Sequence, residues 1–190
     1  QKGYKLEKLK NAPKKVAKLL SEGEIVARCS GRMEWGARAL GNRSILADPT
    51  RFDSITRINK AIKSRDFWMP FAPVVLSEDA NKYIDNPKKM DFPYMILATH
   101  PKEKAIPYFA ATSHQYDKTI RPQVIYRDWN PEYYDIIKEF KKIKGMGTLL
   151  NTSFNLHGFP IVKGAKEALH VMDNSDLTHL LIGSYLVTKK

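Results

Sequence analysis

Hydrophobic positions along this chain switch repeatedly between helical and strand-like spacing. From Asn11 to Gly23 the apolar residues Val16, Leu19 and Leu20 fall on one helical face, with Pro13 near the start and Gly23 in the stop position. Glu24 to Cys29 then reads as a buried strand. Ser30 to Ser44 has neither period and is rich in Gly and Arg, which predicts a loop. Asp53 is expected to cap a helix carrying Ile55, Ile58 and Ile62. Pro70 and Pro73 lead into a short strand, Val74-Val75-Leu76, and further strands are expected at Tyr94 to Ala98 and Val124 to Tyr126. Asn130-Pro131 marks the start of a helix that buries Tyr133, Ile136, Ile137 and Phe140 and stops at Gly145. Thr148-Leu149-Leu150 is a strand running into Asn151, Ala165 to Asn174 a helix, and Leu180 to Thr188 two short strands around Gly183-Ser184. Alternating strands and helices indicate an α/β (α+β) domain whose polar turns carry any site. The strand order does not follow from the pattern.

Composition narrows this picture. At 190 residues and 43% hydrophobic, the chain fits one domain with a proper core. No apolar run approaches the ~18 residues of a membrane span, and no apolar signal core follows the basic amino terminus. The lone cysteine, Cys29, excludes an internal disulfide framework and a cysteine-based zinc site, and its apolar surroundings mark it as core. A cytoplasmic setting is expected, with no membrane partner. The net charge of +12 asks for an anionic partner. Seven of the nine arginines fall between Arg28 and Arg65, whereas the lysines, Lys14 and Lys141 on predicted exposed helix faces among them, spread along the whole chain. Arginine's planar fork suits a bidentate grip on phosphate, so this asymmetry favours a local anion site over a diffuse nucleic-acid face.

Four segments offer chemistry. Gly31 to Ser44 holds Arg32, Arg38 and Arg43 among three glycines, and composition leaves open a phosphate cradle or a solvated basic loop. Lys63-Ser64-Arg65-Asp66-Phe67-Trp68-Met69-Pro70-Phe71-Ala72-Pro73 sets two cations before a stiff aromatic-proline stretch, suited to a nucleotide or to a packed helix end. Arg121 stands alone before a predicted strand. Asn151-Thr152-Ser153-Phe154-Asn155 presents small polar groups at a strand end, able to orient a phosphate or carbonyl, or to cap a turn. The five histidines lack metal-ligand spacing, so no metal site is expected within the chain.

Taken in order, these four blocks resemble the signature segments of the carboxy-terminal, YrdC-like domain of O-carbamoyltransferases of the NodU/CmcH/tobramycin type. His157-Gly158-Phe159-Pro160-Ile161-Val162 and Leu181-Ile182-Gly183-Ser184-Tyr185 are similar to the family's closing segments, and the match runs from about Val16 to Val187. The resemblance implies a single YrdC-like domain over 1–190, a twisted mixed sheet flanked by helices. It implies a partner in an amino-terminal actin/sugar-kinase-like domain, absent here, that carries iron and passes the carbamoyl group to an acceptor hydroxyl. This domain would use ATP with Mg2+, and carbamoyl phosphate as co-substrate, to form carbamoyl-adenylate.

By position, Arg38, Lys63, Arg121, Asn151 and Ser153 match the family's residues around carbamoyl phosphate and the nucleotide phosphates, with Arg32, Arg43, Arg65 and Asn155 as further nucleotide-binding candidates. Three positions depart from the pattern: Met69 where arginine is usual, Ala37 where proline precedes the loop arginine, and Phe159 where glutamate is common. Met69 leaves two readings: Arg65 replaces the missing arginine from nearby, or the domain binds carbamoyl phosphate poorly. The competing reading from another class is a non-catalytic RNA- or nucleotide-binding YrdC-like module. The acceptor does not follow from this chain.

Overall fold

The computed structural model describes residues 3–63 and 69–190, with the side chain of Lys63 excepted. Two of the cations singled out above, the Lys63 side chain and Arg65, therefore lie outside the described residues. Eight strands form one mixed sheet: β1 (Tyr4–Lys8), β2 (Val26–Cys29), β3 (Arg43–Ala47), β4 (Ala72–Leu76), β5 (Gln123–Ile125), β6 (Thr148–Ser153), β7 (His179–Ile182) and β8 (Tyr185–Lys189). Their order is β1-β8-β7-β2-β3-β6-β4-β5. The β2–β7 and β4–β5 pairs are parallel and the other neighbours antiparallel.

Alternation of side chains across the pleat divides the core. Val26, Leu46, Val74, Leu149 and Leu181 join one cluster with α1 (Ala12–Ser21) and α4 (Pro131–Lys144). Ala27, Ile45, Leu150 and Leu180 join another, together with Ile58 at the end of α2 (Asp53–Ile58) and Ala168, Val171 and Met172 of α5 (Ala165–Asp173). Val75 and Val124 belong to a third, with Tyr83 of α3 (Ser77–Tyr83) and Phe109 of a 3-10 turn (Glu103–Phe109). Every residue of β2, β3 and β4 is buried, as strands covered on both faces must be. Val16 and Leu20 of α1, with Tyr133, Ile137 and Phe140 of α4, are fully buried. Each such side chain contributes roughly 1.5–3 kcal/mol of transfer free energy.

Helix α4 follows its sequence signals closely. The Asn130 side chain accepts from Tyr133 N at 3.3 Å, Pro131 occupies the first turn, and Gly145 leaves in the left-handed region at φ 77°. Lys141, Lys142 and Lys144 lie in the last turn, where the helix dipole favours cations. Lys141 is not a plain surface residue, however, for its Nζ lies 2.6 Å from Asp79 Oδ2, a carboxylate only 1% exposed.

Other expectations need correction. Tyr94 to Ala98 forms no strand: Pro93 precedes it, and Met95 takes φ 57°, which breaks the pleat. Asp53 does not cap α2. It lies in the first turn and pairs with Arg51 at 3.0 Å, and the helix runs on into a π turn, Asn59–Lys63. The predicted loop closes at Arg43 rather than Ser44, because β3 starts there. Strand β1 carries no apolar pattern, and as an edge strand with charged residues it needs none.

The strand pairings, antiparallel except for β4 with β5, bring the ends of β2 and β6 to the same edge of the sheet as the starts of β3, β4 and β5. The described parts of the four sequence-defined segments lie along this edge.

Candidate functional site

At this edge a recess of about 60 Å³ is lined by Arg38, Arg121, Asn151 and Ser153, with Pro70, Phe71 and Met95 among its walls. Four residues from three distant segments thus share one site. The enclosed part has room for about two waters, the size of a small planar or tetrahedral group. Its mouth opens to solvent.

Its electrostatics are strongly positive. Burial, and then the charge of Arg38 nearby, hold the Arg121 guanidinium below its ordinary range. Among the described residues neither arginine side chain has a hydrogen bond or ion pair. Two neighbouring cations, with no carboxylate among the described residues of the lining, attract a bidentate oxyanion.

Asn151 sits on β6 between Leu46 of β3 and Ala72 of β4 and is 1% exposed. Its Nδ2 donates to Ala39 O at 3.0 Å, and its buried Oδ1 has no partner. A buried amide oxygen left unpaired costs about 1–3 kcal/mol, which an N–H donor in the recess would recover. The Ser153 hydroxyl donates to Asn155 Oδ1 at 2.7 Å. Asn155 Nδ2 in turn donates to Leu156 O at 2.9 Å and Phe159 O at 2.8 Å. Asn155 therefore orients Ser153 from behind and does not line the recess.

The loop bearing Arg38 is tied down at several points. One oxygen of Glu34 accepts from the backbone N–H groups of Leu40, Asn42 and Arg43, at 2.8, 2.6 and 3.1 Å. Gly41, at φ 121°, lies so close to Tyr133 that a Cβ would approach the ring to 2.2 Å. Arg28, 2% exposed, donates to Gly41 O at 2.6 Å and pairs with Glu132 of α4 at 2.5 Å. Sequence reasoning missed the brace from Glu132, whose sole local signal is its place in the first turn of α4.

Arginine density proves a poorer guide than it looked. Arg43 is 5% exposed, and its guanidinium donates only to backbone carbonyls: Lys163 O, Ser30 O, Asn42 O and Gly31 O. All five of its N–H bonds are engaged, so none is left for a phosphate, and Arg43 braces the loop instead. Arg28 is engaged with Glu132, Arg51 with Asp53 and Arg57 with Glu24. Arg32 is exposed and outside the recess lining. Of the clustered arginines that are described, Arg38 alone enters the recess. Ala37 lines it beside Arg38, whereas Met69 and Phe159 are exposed, and neither belongs to the lining. Cys29 is buried at 5% exposure, and burial raises its thiol pKa.

The family described as Carbamoyltransferase C-terminus matches residues 17–189. Nodulation protein NolNO of Sinorhizobium fredii is 38% identical over 97% of this chain and 27% of its own length. The 3'-hydroxymethylcephem-O-carbamoyltransferase of Amycolatopsis lactamdurans is 31% identical over 86% of this chain and 30% of its own. The chain thus spans about a quarter to a third of these curated relatives. Among solved structures, full-length HypF in its phosphate- and nucleotide-bound form superposes with TM-score 0.62 at 20% identity, over 99% of this chain and 23% of that one. Sua5 of P. abyssi, complexed with L-threonine, gives TM-score 0.64 at 14% identity over 90% of this chain and 46% of that one. These two likenesses establish the YrdC-like fold. The resemblance carried by the signature blocks is upheld: this chain belongs to the carbamoyltransferase C-terminus family.

Proposed function

We propose that this domain binds ATP and carbamoyl phosphate at the recess and forms carbamoyl-adenylate, which an amino-terminal domain of the same protein uses to carbamoylate an acceptor hydroxyl. The observation that carries the reading is the convergence of Arg38, Arg121, Asn151 and Ser153 on one small recess, with no carboxylate among its described lining. The carbamoyltransferase named among its relatives, and the phosphate- and nucleotide-bound state of HypF, support it.

In this proposal carbamoyl phosphate loses its phosphoryl group to water, leaving carbamate. A carbamate oxygen then forms a bond to the α-phosphorus of ATP, the bond to the bridging oxygen breaks, and pyrophosphate departs. Arg38 and Arg121 neutralise the negative charge that gathers as two anions meet, the largest obstacle to such a step. Lys63, matched by position, would act beside them. The free Oδ1 of Asn151 accepts from the carbamoyl N–H, and Ser153, held by Asn155, fixes the opposite edge. No protein nucleophile is required. Among the described residues no group of three His, Cys, Asp or Glu converges, so magnesium would be carried by the nucleotide's phosphates, its common mode. Iron belongs to the amino-terminal domain in this scheme, as does recognition of the acceptor.

Calorimetric titration of the 190-residue chain with carbamoyl phosphate and with magnesium-ATP tests the binding half. Saturable heat is expected with both. No heat with either at millimolar concentration would remove the recess as a phosphate site.

A further inference from the structure

Arg38 has to stay beside a second cation, and its own segment does little to keep it there. Arg121 is well fixed, with Ile120 before it 1% exposed and Gln123 just after it 4% exposed. In the other segment every residue from Trp35 to Arg38 is exposed, and a Cβ on Gly36 would meet nothing within 4 Å. Repulsion between the two guanidiniums therefore acts on the freer partner and pushes Arg38 towards solvent. We propose that Glu34 is the positioning residue that holds Arg38 in the recess. The inference rests on Arg38 and Arg121 gripping an oxyanion, as in the function proposed above.

Three features of the loop carry it. First, Glu34 immediately precedes the exposed tip, and the amides that its Oε1 accepts, those of Leu40, Asn42 and Arg43, come just after it. One side-chain oxygen thus joins the two ends of the tip, which loop entropy would otherwise part. Second, the far end of the tip is locked to the sheet. Three successive carbonyls, Ala39 O, Leu40 O and Gly41 O, accept from Asn151 Nδ2 at 3.0 Å, Gln123 Nε2 at 3.3 Å and Arg28 Nη1 at 2.6 Å. Those donors stand on β6, β5 and β2, so the segment that Glu34 gathers is registered against the strands that carry or follow Ser153 and Arg121. Third, Glu34 leaves the arginines of its own loop unneutralised. Its hydrogen bonds among the described residues all come from backbone amides, not from Arg32, Arg38 or Arg43.

The sign of the effect separates positioning from plain electrostatics. A carboxylate in the loop of an anion site repels the anion, so removing its charge would by itself tighten binding. If Glu34 acts by holding Arg38, removing it must weaken binding instead.

Calorimetric titration of the 190-residue chain with inorganic pyrophosphate, and in parallel with carbamoyl phosphate, is the test. Glu34→Ala should weaken binding about tenfold, the scale of one misplaced charged contact. Glu34→Gln keeps an oxygen that accepts from the amides, and should bring affinity back to within about threefold of the wild type. The deciding measurement is the cycle with Arg38→Ala: once Arg38 is gone, Glu34→Ala should weaken binding no further. A residue that only stabilised the fold would lower affinity by the same factor in both backgrounds. Circular dichroism establishes that each variant is folded. If Glu34→Ala is not, Glu34→Asp, whose shorter arm draws the carboxylate away from the amides, takes its place, and wild-type affinity there overturns the proposal. So do equal losses with and without Arg38, wild-type or tighter binding in Glu34→Ala, or a Glu34→Gln as weak as Glu34→Ala. Pyrophosphate binding that follows the cycle while carbamoyl phosphate gives no heat refutes the carbamoyl reading and leaves the positioning role standing. Additive losses with both ligands bound do the reverse. Silence from both ligands overturns both.

Discussion

Replacing Arg121 by methionine separates a functional cation from a structural one. Methionine keeps an unbranched apolar stem of similar reach, so the packing of Arg121 against the recess is largely retained. Only the charge and the donor fork go. In the free protein that charge lies near Arg38, and among the described residues of the recess no carboxylate offsets it: burial and Arg38 both act to weaken the hold on its proton. Arg121→Met should therefore leave the unliganded protein as stable as before, or more so. Ligand binding should move the other way. A hydrogen bond to a charged group is worth roughly 1.5–3 kcal/mol, so affinity for carbamoyl phosphate should fall roughly 10- to 150-fold. Thermal unfolding without ligand and calorimetry with carbamoyl phosphate give the two numbers, with Lys14→Ala as a remote charge-loss control. A lower melting temperature with unchanged affinity would make Arg121 a structural residue and refute the reasoning. An equal loss of affinity in Lys14→Ala would point instead to a diffuse basic surface.

Three further outcomes follow from the loop and the core. Gly41→Ala forces a Cβ to within 2.2 Å of the Tyr133 ring at φ 121°. It should cost at least about 2 kcal/mol and lower the melting temperature by about 4–8 °C, read by calorimetric scanning. Arg43→Lys keeps the charge but loses the fork that ties Ser30, Gly31, Asn42 and Lys163, so trypsin should cut at Arg32 and Arg38 faster than in the wild type. Cys29 is buried and its thiol pKa is raised by that burial, so a disulfide reagent should label it only as fast as the protein unfolds. Immediate labelling at neutral pH would contradict that.

Local chemistry decided how much could be read from the chain. Helix α4 was legible because Asn130, Pro131 and Gly145 act within one turn of themselves. Strand β6 was legible up to Leu150, where its apolar residues stop, although the pairing continues through Asn151, Thr152 and Ser153. Strands β1 and β3 were missed for opposite reasons. The first is polar because it is an exposed edge, and the second opens with Arg43 and Ser44, polar residues that are nonetheless buried. Arginine clustering was a real pattern with a mixed cause. Arg28, Arg43, Arg51 and Arg57 serve the fold, and nothing in their spacing distinguishes them from Arg38. The meeting of Arg38, Arg121, Asn151 and Ser153 depends on strand order, which periodicity does not encode. Their grouping came from the resemblance of whole signature blocks.

The central claim is that the recess activates a carbamoyl group on the nucleotide's α-phosphate. Exchange of labelled pyrophosphate into ATP tests it most directly, because exchange requires that step to run in both directions. Supplied with magnesium-ATP and carbamoyl phosphate, the chain should show exchange that depends on carbamoyl phosphate and collapses in Arg38→Ala. Absence of exchange from a folded chain that binds both ligands would contradict the account, as would exchange that proceeds without carbamoyl phosphate.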